Sequence, residues 1–283
     1  MFEKVSYAFK TSRFRFWIYT GGTYVIGYTL GARNISDFYE LQYYIYLFYF
    51  FILANIFIYG VNDLFDMSTD KNNPKKEGKE TKLAKENIQD LKIILYFTTA
   101  ISLVLMIFQE NWIQRFVFFG FLFLSYFYSA KPLRFKGIPI LDFSSNMLYI
   151  MPGIFGYVLV ADSLPPLLFV IAGFAHISAM HVFSAVPDIK YDRDAGISTT
   201  ATVLGKKISL VLCTVFWSLL VIIVLYLVDF HPMSLLVLIY PLVPFSLLLF
   251  SRLEIEKIYW TLPYINTSLG GLLFLALIYM NIL

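Results

Sequence analysis

Phe51-Ile52-Leu53-Ala54-Asn55-Ile56-Phe57-Ile58-Tyr59-Gly60-Val61-Asn62-Asp63-Leu64-Phe65-Asp66-Met67-Ser68-Thr69-Asp70 is an apolar run that ends in an amide and three carboxylates. The run begins at residue 41, so 41–61 is long enough to cross about 30 Å of hydrocarbon as a helix. The acidic end then sits where that helix meets water. Charge of one sign gathered at a membrane surface repels itself unless a cation and an anionic ligand share the place. The stretch therefore predicts a membrane helix that delivers a charged site.

Working outward, the rest of the chain has the same character. Of its 283 residues 59% are hydrophobic and 14% charged, against about 25% charged in soluble domains, so most of its surface must face lipid. Apolar runs at 16–32, 41–61, 93–108, 114–130, 141–161, 165–186, 208–228, 233–250 and 259–281 predict an all-α integral membrane protein with nine transmembrane helices. The distribution of positive charge tests this count, because lysine and arginine in short loops stay cytoplasmic. With the N-terminus inside and the C-terminus outside, 20 of the 22 basic residues fall on the inner side, leaving Arg33 and Arg115 outside. An even number of helices would scramble that asymmetry. The first fifteen residues are basic and aromatic, with no small-residue cleavage site after the first run, so the first helix is expected to stay. The connections are short except for 62–92, so a single domain over residues 1–283 is expected. The lone Cys213 lies inside the seventh run, which excludes an intramolecular disulfide and predicts a packing role. The basic residues suit anionic lipid headgroups, and no nucleic-acid partner is implied.

A second acidic segment, Asp188-Ile189-Lys190-Tyr191-Asp192-Arg193-Asp194, follows the sixth run on the same side of the membrane. In the first segment the carboxylates at 63, 66 and 70 are spaced i, i+3, i+7, and Asn62 lies four residues before Asp66. On a helix this puts oxygen-bearing side chains on one stripe. In the second segment Asp188 and Asp192 are i, i+4. Oxygen ligands without histidine or cysteine favour a hard cation, Mg²⁺ before Mn²⁺, over zinc. The candidate metal ligands are thus Asn62, Asp63, Asp66, Asp70, Asp188 and Asp192, with Asp66 and Asp188 as the central pair. A diphosphate on such a site also needs protein cations. Lys131 and Arg134, with Lys136, follow Tyr128-Ser129 on the inner side, and arginine holds phosphate oxygens in a fork where lysine acts as a point charge. Lys190, inside the second acidic segment, and Arg13 and Arg15, before the first run, are further candidates to bind the diphosphate. His176 and His181 are i, i+5, which points them to different faces of one helix and favours packing or hydrogen bonding over metal binding. Of the many aromatic residues available to line a hydrophobic tunnel, Tyr149, on the fifth run beside Pro152-Gly153, is the first to test.

These residues resemble the UbiA superfamily of intramembrane prenyltransferases. The run Asn-Asp-x-x-Asp-x-x-x-Asp at 62–70, Tyr128-Ser129 followed by Lys131, Arg134 and Lys136, and Asp188-x-x-x-Asp192 occur in that family's order over nearly the whole chain. The resemblance implies a nine-helix bundle around a central cavity, with two Mg²⁺ ions holding the diphosphate of an isoprenoid donor beneath cytoplasmic caps. It further implies a place in the cell membrane, with the active site opening to the cytoplasm. Finer features are similar to the lycopene elongases, which add five-carbon units to acyclic carotenoids. They are Tyr59-Gly60-Val61-Asn62-Asp63 leading to Asn73-Pro74-Lys75-Lys76, Leu141-Asp142 with Ser145-Asn146 and Pro152-Gly153, and His181-Val182-Phe183-Ser184-Ala185-Val186-Pro187-Asp188-Ile189. The last continues through Asp192-Arg193-Asp194-Ala195-Gly196-Ile197, Thr199-Thr200-Ala201-Thr202 and Leu204-Gly205. Two departures are Phe14, where that branch commonly has proline, and Asp194, where it often has glutamate.

The expected reaction is transfer of a C5 group from dimethylallyl diphosphate to the end of an acyclic carotenoid such as lycopene. The acidic segments serve equally a prenyltransferase acting on an aromatic ring or a glycerol ether, and a cyclase of the same fold. A cation transporter would place carboxylates deep in the spans, and here they lie near the helix ends.

Overall fold

The computed structural model describes residues 2–67, 85–250 and 252–282, and among these there is no strand. Each of the nine apolar runs falls on helix. Among the described residues seven helices are long and apolar enough to cross a membrane, and Trp112–Phe127 is a shorter apolar helix. The first run is not one continuous helix: a 3₁₀ turn, Phe14–Tyr19, stops at Thr20 before an eleven-residue helix, Gly21–Gly31. The helices form two compact units, one of residues 1–134, 151–164 and 272–283, the other of 135–150 and 165–271.

In the first unit, α1 (Phe2–Thr11) ends at Arg13, whose φ of 51° turns the chain into the 3₁₀ segment and α2 (Gly21–Gly31). α2 packs on α6 (Met151–Ala161) backbone to backbone. A Cβ on Gly27 would lie 1.9 Å from the Gly153 carbonyl oxygen, and one on Gly156 would lie 2.6 Å from that of Tyr24. Small residues permit this approach, and in lipid such close packing replaces the hydrophobic force that lipid cannot supply.

Between them run α3 (Leu41–Asp66), α4 (Ile88–Ile107) and α5 (Trp112–Phe127). α3 carries a π turn at Tyr49–Leu53. A π turn upsets the helical ladder, and no water is available in hydrocarbon to repair it. Side chains do so instead: the Thr20 hydroxyl donates to the Phe50 carbonyl at 2.7 Å, and the Asn55 amide donates to Phe51 O at 2.9 Å and to Thr20 Oγ1 at 2.6 Å. Beyond the turn, Phe57 and Val61 of α3 pack with Leu91 and Leu95 of α4, covered by Tyr7 of α1. That packing fixes the face on which the acidic end of α3 emerges.

The second unit begins with a 3₁₀ turn (Phe135–Gly137), a four-residue helix (Leu141–Ser144) and a second 3₁₀ turn (Ser145–Tyr149). The fifth run, expected as one helix over 141–161, is thus broken before Met151, and Pro152 falls in the first turn of α6, where its missing N–H leaves no gap. α7 (Leu167–Ala185) starts directly after Pro165-Pro166 and packs against α9 (Thr200–Leu227), which in turn packs against α10 (Ile239–Leu249). α8 (Ile189–Asp194) is a six-residue helix between α7 and α9. α9 begins eight residues before the expected 208 and kinks at Gly205, where φ 72° and ψ 168° exclude residues with a Cβ. Midway along α7, His176 Nδ1 accepts the indole N–H of Trp217 at 3.2 Å, while Tyr240 donates to Asn266 Oδ1 at 2.8 Å from α11 (Ile255–Asn281). Cys213 is buried, its Sγ 3.5 Å from the Ala179 carbonyl.

Candidate active site

The end of α3 places Asn62, Asp63 and Asp66 within one turn, and the structure separates them by partner. Asn62 donates its amide to Asp66 Oδ2 at 2.8 Å and to Ser129 Oγ at 3.0 Å. That leaves its carbonyl oxygen as the atom it can offer a cation. Asp66 is buried, and its Oδ1 lies 3.3 Å from Nη2 of Arg134. Arg134 reaches it from a backbone at φ 38°, its N–H bonded to the Ala130 carbonyl at 2.9 Å. Asp63 goes elsewhere. Its Oδ1 accepts from Arg13 Nη2 at 2.6 Å, in a pair whose side chains are 9% and 11% exposed. The Arg13 guanidinium also sits 4.8 Å above the Tyr59 ring, where the ring's quadrupole attracts a cation. Burial, with the Asp63 charge second, pushes the Tyr7 hydroxyl above its ordinary range.

Lys131 and Arg15 are exposed, at the rim of this cluster in sequence, and Lys136 is half-buried. Asp70 lies outside the described residues. In the second unit Asp188 and Asp192 are both half-buried and one helical turn apart, the N–H of Asp192 bonded to the Asp188 carbonyl at 2.8 Å, while Lys190 is exposed. Tyr149 is half-buried at the end of its 3₁₀ turn.

The donor set is consistent with a hard cation: an amide oxygen and carboxylates, with no thiolate or imidazole beside them. Among the described residues no group of three or more His, Cys, Asp or Glu is gathered closely enough to hold a metal alone, so an ion here would complete its shell from water or from ligand oxygens, as Mg²⁺ does. Sequence reasoning did not single out Tyr59 beneath Arg13, nor the roles of Thr20 and Asn55. A polar side chain inside an apolar run was the signal for Asn55.

Membrane-length helices define a multi-pass, all-α membrane protein, with a carboxylate–amide–arginine cluster at the end of one helix. Residues 21–257 match the UbiA prenyltransferase family, and the chain belongs to that family. It is 35% identical to the lycopene elongase/hydratase of Haloferax volcanii over 97% of this chain and 89% of that one. It is 38% identical to the lycopene elongase/hydratase of Halobacterium salinarum, over 93% and 94%. Its fold is similar to the structure of a UbiA homologue from Archaeoglobus fulgidus bound to GPP and Mg²⁺, with a TM-score of 0.73 at 18% identity, covering 96% of this chain and 99% of the other. The protein is thus a prenyltransferase by family, similar in sequence to the lycopene elongase/hydratases.

Proposed function

We propose that this protein transfers a C5 prenyl group from dimethylallyl diphosphate to the end of an acyclic carotenoid such as lycopene, releasing diphosphate. The observation that carries the reading is the Asn62–Asp66–Arg134 cluster at the end of a membrane-length helix, in a chain whose relatives are named lycopene elongase/hydratase. Nine crossings, with the N-terminus cytoplasmic, put the site at the cytoplasmic face of the cell membrane. Asn62, Asp66 and Asp70 of the first acidic segment and Asp188 and Asp192 of the second would hold the Mg²⁺, two ions in all. When bound, the metal takes up the negative charge that develops on the departing diphosphate.

The chain's own residues do the rest. Arg134 touches Asp66 through one nitrogen of its fork, and the other N–H groups, with Lys131, hold phosphate oxygens. Lys190 and Arg15 add exposed positive charge for the incoming anion. Asp63 keeps Arg13 fixed over Tyr59, so Arg13 presents its charge from one position. The C–O bond of the donor breaks with its electron pair leaving on diphosphate, and the terminal double bond of the acceptor attacks the allylic cation. The apolar helices exclude water from that cation until the new C–C bond has formed. The resulting tertiary cation is quenched by loss of a proton or by capture of water.

Expression in a bacterium that makes lycopene, followed by mass analysis of its pigments, tests this. Pigments heavier by one or two C5 units, absent with Asp66→Ala and with Asp188→Ala, are the expected result. Unchanged lycopene with the protein present in the membrane would move the acceptor to an aromatic ring or a glycerol ether.

A further inference from the structure

Outside the cluster described above, Asp142 in the second unit is a carboxylate only 1% exposed. Its Oδ1 accepts the Thr200 hydroxyl at 2.5 Å and its Oδ2 the Thr200 backbone N–H at 2.7 Å. The Thr200 oxygen in turn accepts the N–H of Ile140 at 2.7 Å. Ile140 has φ 73°, a backbone that β-branched residues rarely adopt. The backbone carbonyl of Asp142 accepts Asn146 Nδ2 at 2.5 Å, and the same nitrogen lies 3.0 Å from His181 Nδ1. A carbonyl can only accept, so the group against it is the amide NH₂, and His181 Nδ1 is then an acceptor as well. The imidazole proton therefore sits on Nε2, which faces Asp142 Oδ2 at 3.9 Å.

These bonds grip two places in the chain, His181 and Thr200, and between them lies the whole second acidic segment. α8 has six residues, too few to hold a helical shape without outside ties. A further tie is Arg193, which donates from Nε at 3.2 Å and Nη2 at 2.6 Å to the Thr202 carbonyl. The kink at Gly205 takes the carbonyls of that first turn out of the regular ladder, and Arg193 supplies the missing donor. Thr199 and Thr202 complete the turn by bonding each other's backbone N–H groups, at 3.1 Å and 2.8 Å.

We infer that Asp142 is a positioning residue for the second acidic segment: through Thr200 at one end and through Asn146 and His181 at the other, it fixes residues 182–199 and so the disposition of Asp188 and Asp192. The identity of the ligand those carboxylates receive rests on the function proposed above; the tie itself does not.

The test uses the full chain in lipid nanodiscs, comparing Asp142→Asn, Thr200→Val and Thr200→Ser with wild type. Two readouts are taken: amide hydrogen exchange over 186–198, with 210–225 of α9 as a control for global folding, and binding of Mn²⁺ in the presence of inorganic diphosphate. Asp142→Asn and Thr200→Val should speed exchange over 186–198 at least tenfold, leave 210–225 unchanged and weaken Mn²⁺ binding about tenfold, while Thr200→Ser, which keeps the hydroxyl, behaves as wild type. Unchanged exchange over 186–198 in Thr200→Val would overturn the inference, as would equal acceleration of both segments, which marks a general loss of stability. If Asp142→Asn does not accumulate, Thr200→Val carries the test, since it leaves the carboxylate its bond from the backbone of residue 200. Wild type that binds no Mn²⁺ with diphosphate counts against the proposed function, and the exchange readout still decides the tie.

Discussion

The two acidic segments solve one problem by different means. The first rides on the end of the 26-residue α3, and its two described carboxylates are buried, each against an arginine: Asp63 with Arg13 and Asp66 with Arg134. The second rides on the six-residue α8, and its Asp188 and Asp192 are half-buried. A long helix carries its own geometry, so local neutralisation suffices to hold the first segment. A short helix has none to spare, and the second is held by side chains from Asp142, Arg193 and Thr200 instead. Rigidity at a membrane surface thus comes from helix length in one case and from buried hydrogen bonds in the other.

That contrast can be broken at several points. The largest effect is expected from Asp66→Ala, which removes a proposed metal ligand and the carboxylate beside Arg134; transfer measured in membranes should fall about 10³-fold, the upper range for losing one preorganised electrostatic partner. Arg13→Met leaves Asp63 charged and buried, and should cost about 3 kcal/mol in denaturant unfolding. The double change Arg13→Met with Asp63→Leu should recover most of that loss, and a failure to recover would mean that Asp63 has a partner worth more than Arg13. Asn55→Leu takes the donor from carbonyls of the π turn and should cost roughly 2 kcal/mol, seen as a lower thermal midpoint. Lys190→Ala is the mildest. An exposed charge contributes up to about 1 kcal/mol, so the KM for the prenyl donor should rise no more than about fivefold, with kcat unchanged and less still at high salt.

Much of this was legible in the sequence because helical spacing is local. Asn62 and Asp66 are four residues apart, and they are found 2.8 Å apart. The apolar runs fall on helix for the same reason, since burial in lipid demands continuous apolar length. What the sequence hid was set by distant partners. Asp63 sits on the same stripe as Asp66 by spacing, yet its bond is to Arg13, fifty residues earlier. The break between Tyr149 and Met151 was hidden by a run apolar enough to pass for one helix, although Asp142 and Asn146, both buried and hydrogen-bonded, were polar exceptions within it. The kink at Gly205 depends on a backbone angle, and hydrophobic periodicity does not register such angles.

The π turn at Tyr49–Leu53 has one more consequence. Such a turn amounts to a single residue inserted into an α-helix, and each residue of an α-helix advances the chain by about 100°. Everything after it in α3 is therefore rotated by that amount relative to the residues before it. The compass bearing of Asn62, Asp63 and Asp66, and with it the choice of which carboxylate meets Arg13 and which meets Arg134, is dialled in some ten residues upstream.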